Sequence, residues 1–155
     1  LPVYKPPIDF LDQAIESVLN QSYDNFELCI VDDNSNDKKI TSLLKKYTKK
    51  DGRIKLKINQ KHLHISEASN EGLKIATGEY VTFLDHDDLL PKNSLLEIVR
   101  TINNNPSIKI IYTDEDKIDE DNNRFQPYFK PDFNYDLLLS QNTFCHMTVY
   151  QMNLI

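Results

Sequence analysis

No stretch of about 18 consecutive apolar residues occurs in the chain, so nothing in it reads as a membrane-spanning helix. Basic residues are not in surplus either. The formal net charge is -6, which excludes a lysine- and arginine-lined surface for nucleic acid. Cysteine is scarce: only Cys29 and Cys145 are present, both in stretches that read as strands. Two small buried hydrophobes in a reducing cytoplasm account for them better than a disulfide framework or a catalytic thiol. Internal repeats and low-complexity segments are absent, and so are an initiator methionine and a polar tail. Both ends therefore read as cuts in a longer polypeptide, and one truncated domain is expected over residues 1–155. What is present fits a folded domain, with 39% hydrophobic and 27% charged residues. A chain of this size buries about two thirds of its extended surface.

Apolar periodicity places the elements. Phe10, Leu11, Ala14, Ile15, Val18 and Leu19 form one stripe of a helix over residues 8–20. A strand follows at 26–31. Ser35 or Asn36 is expected to cap a helix reaching Lys49, with Ile40, Leu43, Leu44 and Tyr47 inward and Lys45, Lys46, Lys49 and Lys50 solvated. Asp51-Gly52 reads as a turn, residues 53–58 as an alternating strand, and Ser66 as the cap of a helix over 67–77, ended by a left-handed Gly78. A strand at 80–84 is followed by a helix opened by Pro91 and carrying Leu95, Leu96, Ile98, Val99 and Ile102. Another strand is expected at 108–112. This alternation predicts an α/β fold with a mainly parallel sheet and helices on both faces. Beyond residue 114 the rhythm breaks into an acidic run and an aromatic, proline-bearing segment. A short helix at 135–140 and a strand at 143–150 close the chain.

Two acidic segments end apolar strands: Asp32-Asp33-Asn34-Ser35-Asn36-Asp37 and Asp85-His86-Asp87-Asp88. Ligands of open α/β sheets bind beyond the carboxyl ends of the strands. Carboxylates gathered there repel one another unless a cation or hydrogen-bond donors compensate. Alternate residues at a strand terminus project to one side, so Asp85 and Asp87 could share a hard cation, Mg²⁺ or Mn²⁺, that bridges to phosphates. The competing account makes these aspartates helix caps or turn residues. A different competing reading is a phospho-receiver domain, in which Asp32-Asp33, Asp85, Thr113 and Lys117 would form the acidic pocket and its switch.

Taken in order, several motifs resemble the family 2 glycosyltransferases. They are Pro2-Val3-Tyr4, Ser17 to Tyr23, Glu27 to Asp37, Glu67 to Leu73, Ala76 to Tyr80 and Leu84 to Asp88. The resemblance is collinear over residues 2–100. Tyr112 to Lys117 and Pro127 to Asp132 look like the bacterial members that build surface polysaccharides, rhamnosyltransferase-like enzymes included. It implies the Rossmann-like GT-A fold and a sugar carried by a nucleoside diphosphate, UDP or dTDP. Transfer would be to a glycan or lipid-linked acceptor, metal-dependent and inverting. Pro2, Val3 and Tyr4 would line the base, and Asp33, with Asp32 behind it, would hold base or ribose. Asn70 would brace the pocket, and Asp85 would meet the ribose or the metal's water shell. His86 would lie beside the diphosphate, and Asp87 would bind the metal directly. The chain departs from the pattern at His64, where family members often have Gly, and at His86, where they have small residues.

The general base that activates the acceptor is expected beyond Ile155, with Asp114, Glu115 and Asp116 as the local substitutes. His146 could be a metal ligand or serve an acceptor, or be a hydrogen-bonded structural residue, and the rings Phe125, Tyr128, Phe129 and Phe133 could stack on a sugar or pack as core under a loop. A sugar-nucleotide-binding module without catalysis remains the other reading of the same motifs. A cytoplasmic protein is expected, with any membrane association supplied by regions outside this chain.

Overall fold

The computed structural model describes all 155 residues, which divide into two compact units. The first comprises Leu1–Gly78 and Leu84–Ser107; the second comprises Glu79–Phe83 and Ile108–Ile155.

The first unit is a three-stranded parallel sheet with helices packed on it. Strands β1 (Pro2–Val3), β2 (Leu28–Asp32) and β3 (Ile54–Ile58) lie in the order β1-β2-β3. Alternation along β2 separates two layers, because successive side chains leave a strand on opposite faces. Leu28 and Ile30 join a core with Leu11, Ile15 and Val18 of helix α1 (Ile8–Leu19) and Ile40, Leu44 and Tyr47 of helix α2 (Lys38–Lys50). Val31 faces the other way and meets helix α3 (His64–Ile75), where a Cβ on Gly72 would lie 3.5 Å from its Cγ2. Helices thus cover both faces of β2, as the period-2 pattern requires. The six lysines of α2 lie on its solvent side. Between the two helices, the buried Tyr47 hydroxyl reaches Asp12 at 2.7 Å and Glu16 at 2.8 Å. Burial and those two carboxylates push its pKa well up, so it stays a donor.

Several boundaries differ from the sequence expectation, each for a local reason. Asp37, not Ser35 or Asn36, caps α2, because its carboxylate accepts from Lys39 N (2.7 Å) and Ile40 N (3.4 Å). Helix α3 begins at His64 without a side-chain cap, which leaves Ser66 inside its first turn. Gly78 is not left-handed. Its N–H instead donates to Glu27 at 3.0 Å, beside donations from the Thr77 N–H and hydroxyl and an ion pair from Lys55. Glu27, just outside β2, therefore anchors the segment leaving α3. Helix α4 (Ser94–Asn104) starts three residues after Pro91, whose carbonyl accepts from Ser94 N.

The end of α1 is a clamp on that same region. The Gln21 side chain donates to Pro91 O (2.8 Å) and accepts from Leu95 N (3.0 Å), while Ser17 Oγ accepts from Leu90 N (3.1 Å). Gln21 is buried, so these are the bonds that satisfy its amide.

The second unit departs further from the sequence reading. Strands β4 (Tyr80–Thr82) and β5 (Ile110–Tyr112), read as continuing the parallel sheet, each pair antiparallel with β8 (Thr148–Gln151). The acidic run forms strand β6 (Glu115–Ile118), which pairs with β7 (Arg124–Tyr128) across a turn organised by Asp119. That carboxylate accepts from Asp121 N and Asn123 N. Helix α5 (Tyr135–Ser140) matches expectation. Cys145 and His146 precede β8 instead of lying in it, and both cysteines are free. Phe125, Tyr128, Phe129 and Phe133 are exposed, which contradicts packing under a loop. No helix is long and apolar enough to cross a membrane.

Candidate functional site

Register builds the site. Val3 stands opposite Asp32, and Asp32 opposite Ile58, so the next residue out of each strand lies at the same level. Those residues are Tyr4, Asp33 and Asn59. Backbone bonds extend the ladder by that one step, from Asp33 N to Val3 O (2.8 Å) and from Asn59 N to Asp32 O (2.9 Å).

The loop after β2 spends each of its polar residues. Asp32 accepts from Ser35 N at 2.9 Å, and Ser35 Oγ accepts from Lys5 N at 3.0 Å. Asn34 (φ 59°) and Asn36 (φ 51°) take the left-handed backbone that asparagine tolerates best after glycine. With Asp37 capping α2, only Asp33 is left to face the strand ends. Its carboxylate is 2% exposed and accepts from Asn59 Nδ2 (2.8 Å) and Leu63 N (2.9 Å), with His62 Nδ1 at 2.7 Å. Burial pushes the Asp33 carboxyl up, but the Asn59, Leu63 and His62 contacts outweigh it and hold its pKa below the ordinary range. Over this group lie three rings. Tyr4 and His62 are stacked with centroids 3.8 Å apart, and His64 is tilted against His62 at 4.3 Å.

The second acidic segment is positioned by the core of the same unit. Leu84 is buried in the cluster that holds Val3 and Ile30, and Leu90 packs against it. Residues 85–89 therefore emerge between two anchored leucines. Asp85 is half-buried. Strand β4 has already ended at Thr82, and Asp88 N donates to Asp85 O at 3.3 Å to close a turn. The strand argument for Asp85 and Asp87 consequently fails. In the turn it is Asp85 and Asp88 whose carboxylate oxygens converge, within 4.8 Å, while Asp87 is exposed outside that pair.

Residues 1–155 match the family described as glycosyl transferase family 2. The chain belongs to that family. It is 44% identical over 155 residues to the protein y4gI of Sinorhizobium fredii, covering 100% of this chain and 17% of that one. It is 32% identical over 148 residues to the O-antigen biosynthesis protein RfbC of Myxococcus xanthus, covering 96% and 12%. Among solved structures, S. aureus TarS in complex with UDP-GlcNAc superposes with a TM-score of 0.80 at 21% identity, over 99% of this chain and 44% of that one. A mannosyltransferase from Pyrobaculum calidifontis, in complex with GDP-Man and Mn²⁺, gives 0.62 at 21% identity over 72% and 33%. These neighbours share the GT-A fold. The chain spans less than half the length of the first curated relatives it matches. With the family match over the whole chain, the phospho-receiver reading falls. The strand preceding Asp85 also pairs antiparallel with β8, not within the parallel sheet that reading needs.

The expected site residues of this family member separate into groups. Tyr4 and Asp33 come together. Pro2 is half-buried on β1, while the Val3 side chain is core, so only its backbone reaches the strand end. Asp32 is a buried turn residue behind Asp33. Asn70 is exposed on α3, where Ala68 and Gly72 are the residues that pack inward. His86 is half-buried in the Asp85 turn. Asp114, Glu115 and Asp116 are engaged with Lys130 N, Lys130 Nζ and Arg124 respectively. Sequence reasoning missed Asn59 and His62. The signal was available for Asn59, which directly follows the third parallel strand, where ligand-facing residues gather.

Proposed function

We propose that this chain forms the donor-binding part of a glycosyltransferase. Such an enzyme would move a sugar from a nucleoside diphosphate, UDP or dTDP, to a glycan or lipid-linked acceptor, with inversion. The observation that carries this is the flush placement of Tyr4, Asp33 and Asn59 at the carboxyl ends of three parallel strands. Tyr4, 39% exposed, offers a ring face for a base. Asp33, held ionised, accepts from a ring N–H of uracil or thymine; Asn59 fixes the carboxylate's orientation. The proximity of O-antigen RfbC in sequence, and the UDP-GlcNAc bound to TarS, support a surface-glycan product and a nucleotide-sugar donor. The free thiols Cys29 and Cys145 suit a reducing cytoplasm.

The Asp85–Asp88 turn fits a divalent cation, Mn²⁺ or Mg²⁺. Its two converging carboxylates are hard oxygen donors of the kind such an ion prefers, and Asp87 stands beside them. When bound, such an ion supplies neutralisation of the charge that develops on the departing diphosphate. Asp85 and Asp88 would hold it, and Leu84 and Leu90 keep their turn in place. Because Asp114, Glu115 and Asp116 are tied to Lys130 and Arg124, the acceptor-activating base is assigned to none of them.

Calorimetric titration of UDP and dTDP, with and without Mn²⁺, tests the reading. Asp85→Ala and Asp88→Ala should each lose at least about tenfold of the metal-dependent affinity, equal to about 1.4 kcal/mol. Parent-like binding by both variants would remove the metal assignment. A loss confined to Asp87→Ala would return the ligand role to that residue.

A further inference from the structure

We propose that His62 sits in the seat of the donor base and is displaced when the nucleotide binds, so that the chain carries its own competitor. The inference rests on the reading of Tyr4 and Asp33 as the base-binding pair. Both of the groups that would grip a planar heterocycle are already gripping one. The His62 imidazole lies on the Tyr4 ring at 3.8 Å with 18° between the planes, which is the stacking a base would make. Its Nδ1 stands 2.7 Å from Asp33 Oδ2, where a base would present a ring N–H. That nitrogen is sealed from solvent, yet it makes no well-aligned hydrogen bond. The contact is close but imperfect, as suits a group that a better-shaped ring can replace.

Displacement is physically easy from the carboxylate's side. When His62 leaves, Asp33 keeps its bonds from Asn59 Nδ2 and Leu63 N, so no buried charge is stranded. The imidazole side chain is 31% exposed and reaches solvent by rotation about its own bonds. The cost falls on affinity. A seat filled by His62 nine-tenths of the time weakens the apparent binding of nucleotide about tenfold, because only the open fraction accepts it.

The test is titration of UDP with Mg²⁺ into the 155-residue chain and into His62→Ala and His62→Asn. Both variants should bind about tenfold more tightly. In the parent, the His62 ring protons, shifted by the Tyr4 ring, should move toward solvent-like positions in NMR spectra as UDP is added. That second measurement needs no variant to fold. Unchanged or weaker binding by both variants, or His62 signals that stay shifted in the UDP complex, overturns the displacement while leaving the base site intact. If the parent and both variants fail to bind UDP, dTDP and GDP alike, the base-site reading fails and the inference falls with it.

Discussion

The two units solve the burial problem differently. Every buried hydrophobic side chain except Met147 and Val149 belongs to the first, where helices close on a parallel sheet. The second is an antiparallel three-strand sheet and a hairpin, with Phe129 (75%), Leu139 (70%) and Phe133 (63%) exposed. It is held by polar contacts: Lys130, with a side chain 1% exposed, reaches Glu115, Cys145 O and His146 O. The comparison teaches that binary patterning reads out a structure where apolar burial dominates. It is a poor guide where hydrogen bonds and ion pairs decide.

The sharpest way to break this contrast is to truncate one large side chain in each unit. Leu11→Ala in the first should cost about 2–5 kcal/mol in urea unfolding. Phe129→Ala in the second should stay within about 0.5 kcal/mol, as an exposed residue does. Equal losses would refute the asymmetry.

Next comes Asp33, one of the buried polar residues inside the apolar unit. Asp33→Ala leaves the Asn59 amide and the Leu63 N–H without their acceptor and should cost about 1–3 kcal/mol for a buried unsatisfied group. Its pH signature follows from linkage. A carboxyl whose folded pKa lies below its unfolded value contributes stability above the unfolded value, about 3.9, and loses it as pH falls through the folded pKa. Asp51, lowered to about 2 chiefly by the Arg53 guanidinium, acts in the same sense. Stability measured from pH about 6 downward should therefore hold until about pH 4 and then fall, less steeply in Asp33→Asn.

Gln21→Ala tests whether the clamp from α1 holds the segment behind the Asp85 turn. Loss of its bonds to Pro91 O and Leu95 N should cost about 1–2 kcal/mol and raise hydrogen exchange at Leu95. The smallest expected effect is a gain. His64 holds φ at 67°, so His64→Gly should stabilise by about 0.5–1 kcal/mol in thermal unfolding. A loss instead would mean that the ring contact with His62 outweighs the backbone strain.

Much of the first unit was legible because each element announces itself locally. Leu11, Ala14, Ile15 and Val18 recur at helical spacing, and Ile54, Leu56 and Ile58 alternate. Asp33 was legible as a candidate site residue because it follows an apolar strand. The second unit was not, since β8 intervenes between β4 and β5 from far along the chain, and no local pattern specifies an antiparallel partner at that distance. The pairing of Asp85 with Asp88 was hidden for a related reason: a strand that ends two residues early turns an alternating pair into a turn pair.

By itself the sequence determined the family, the parallel layer with its helices, and the two acidic loops, because motif order and apolar period are properties of neighbouring residues. Tertiary structure alone decided which polar groups meet. Asn59, His62 and Leu63 converge on Asp33 only because the register of three strands and the start of α3 bring residues 4, 33, 59 and 62 to one level, and register is set by packing across the sheet.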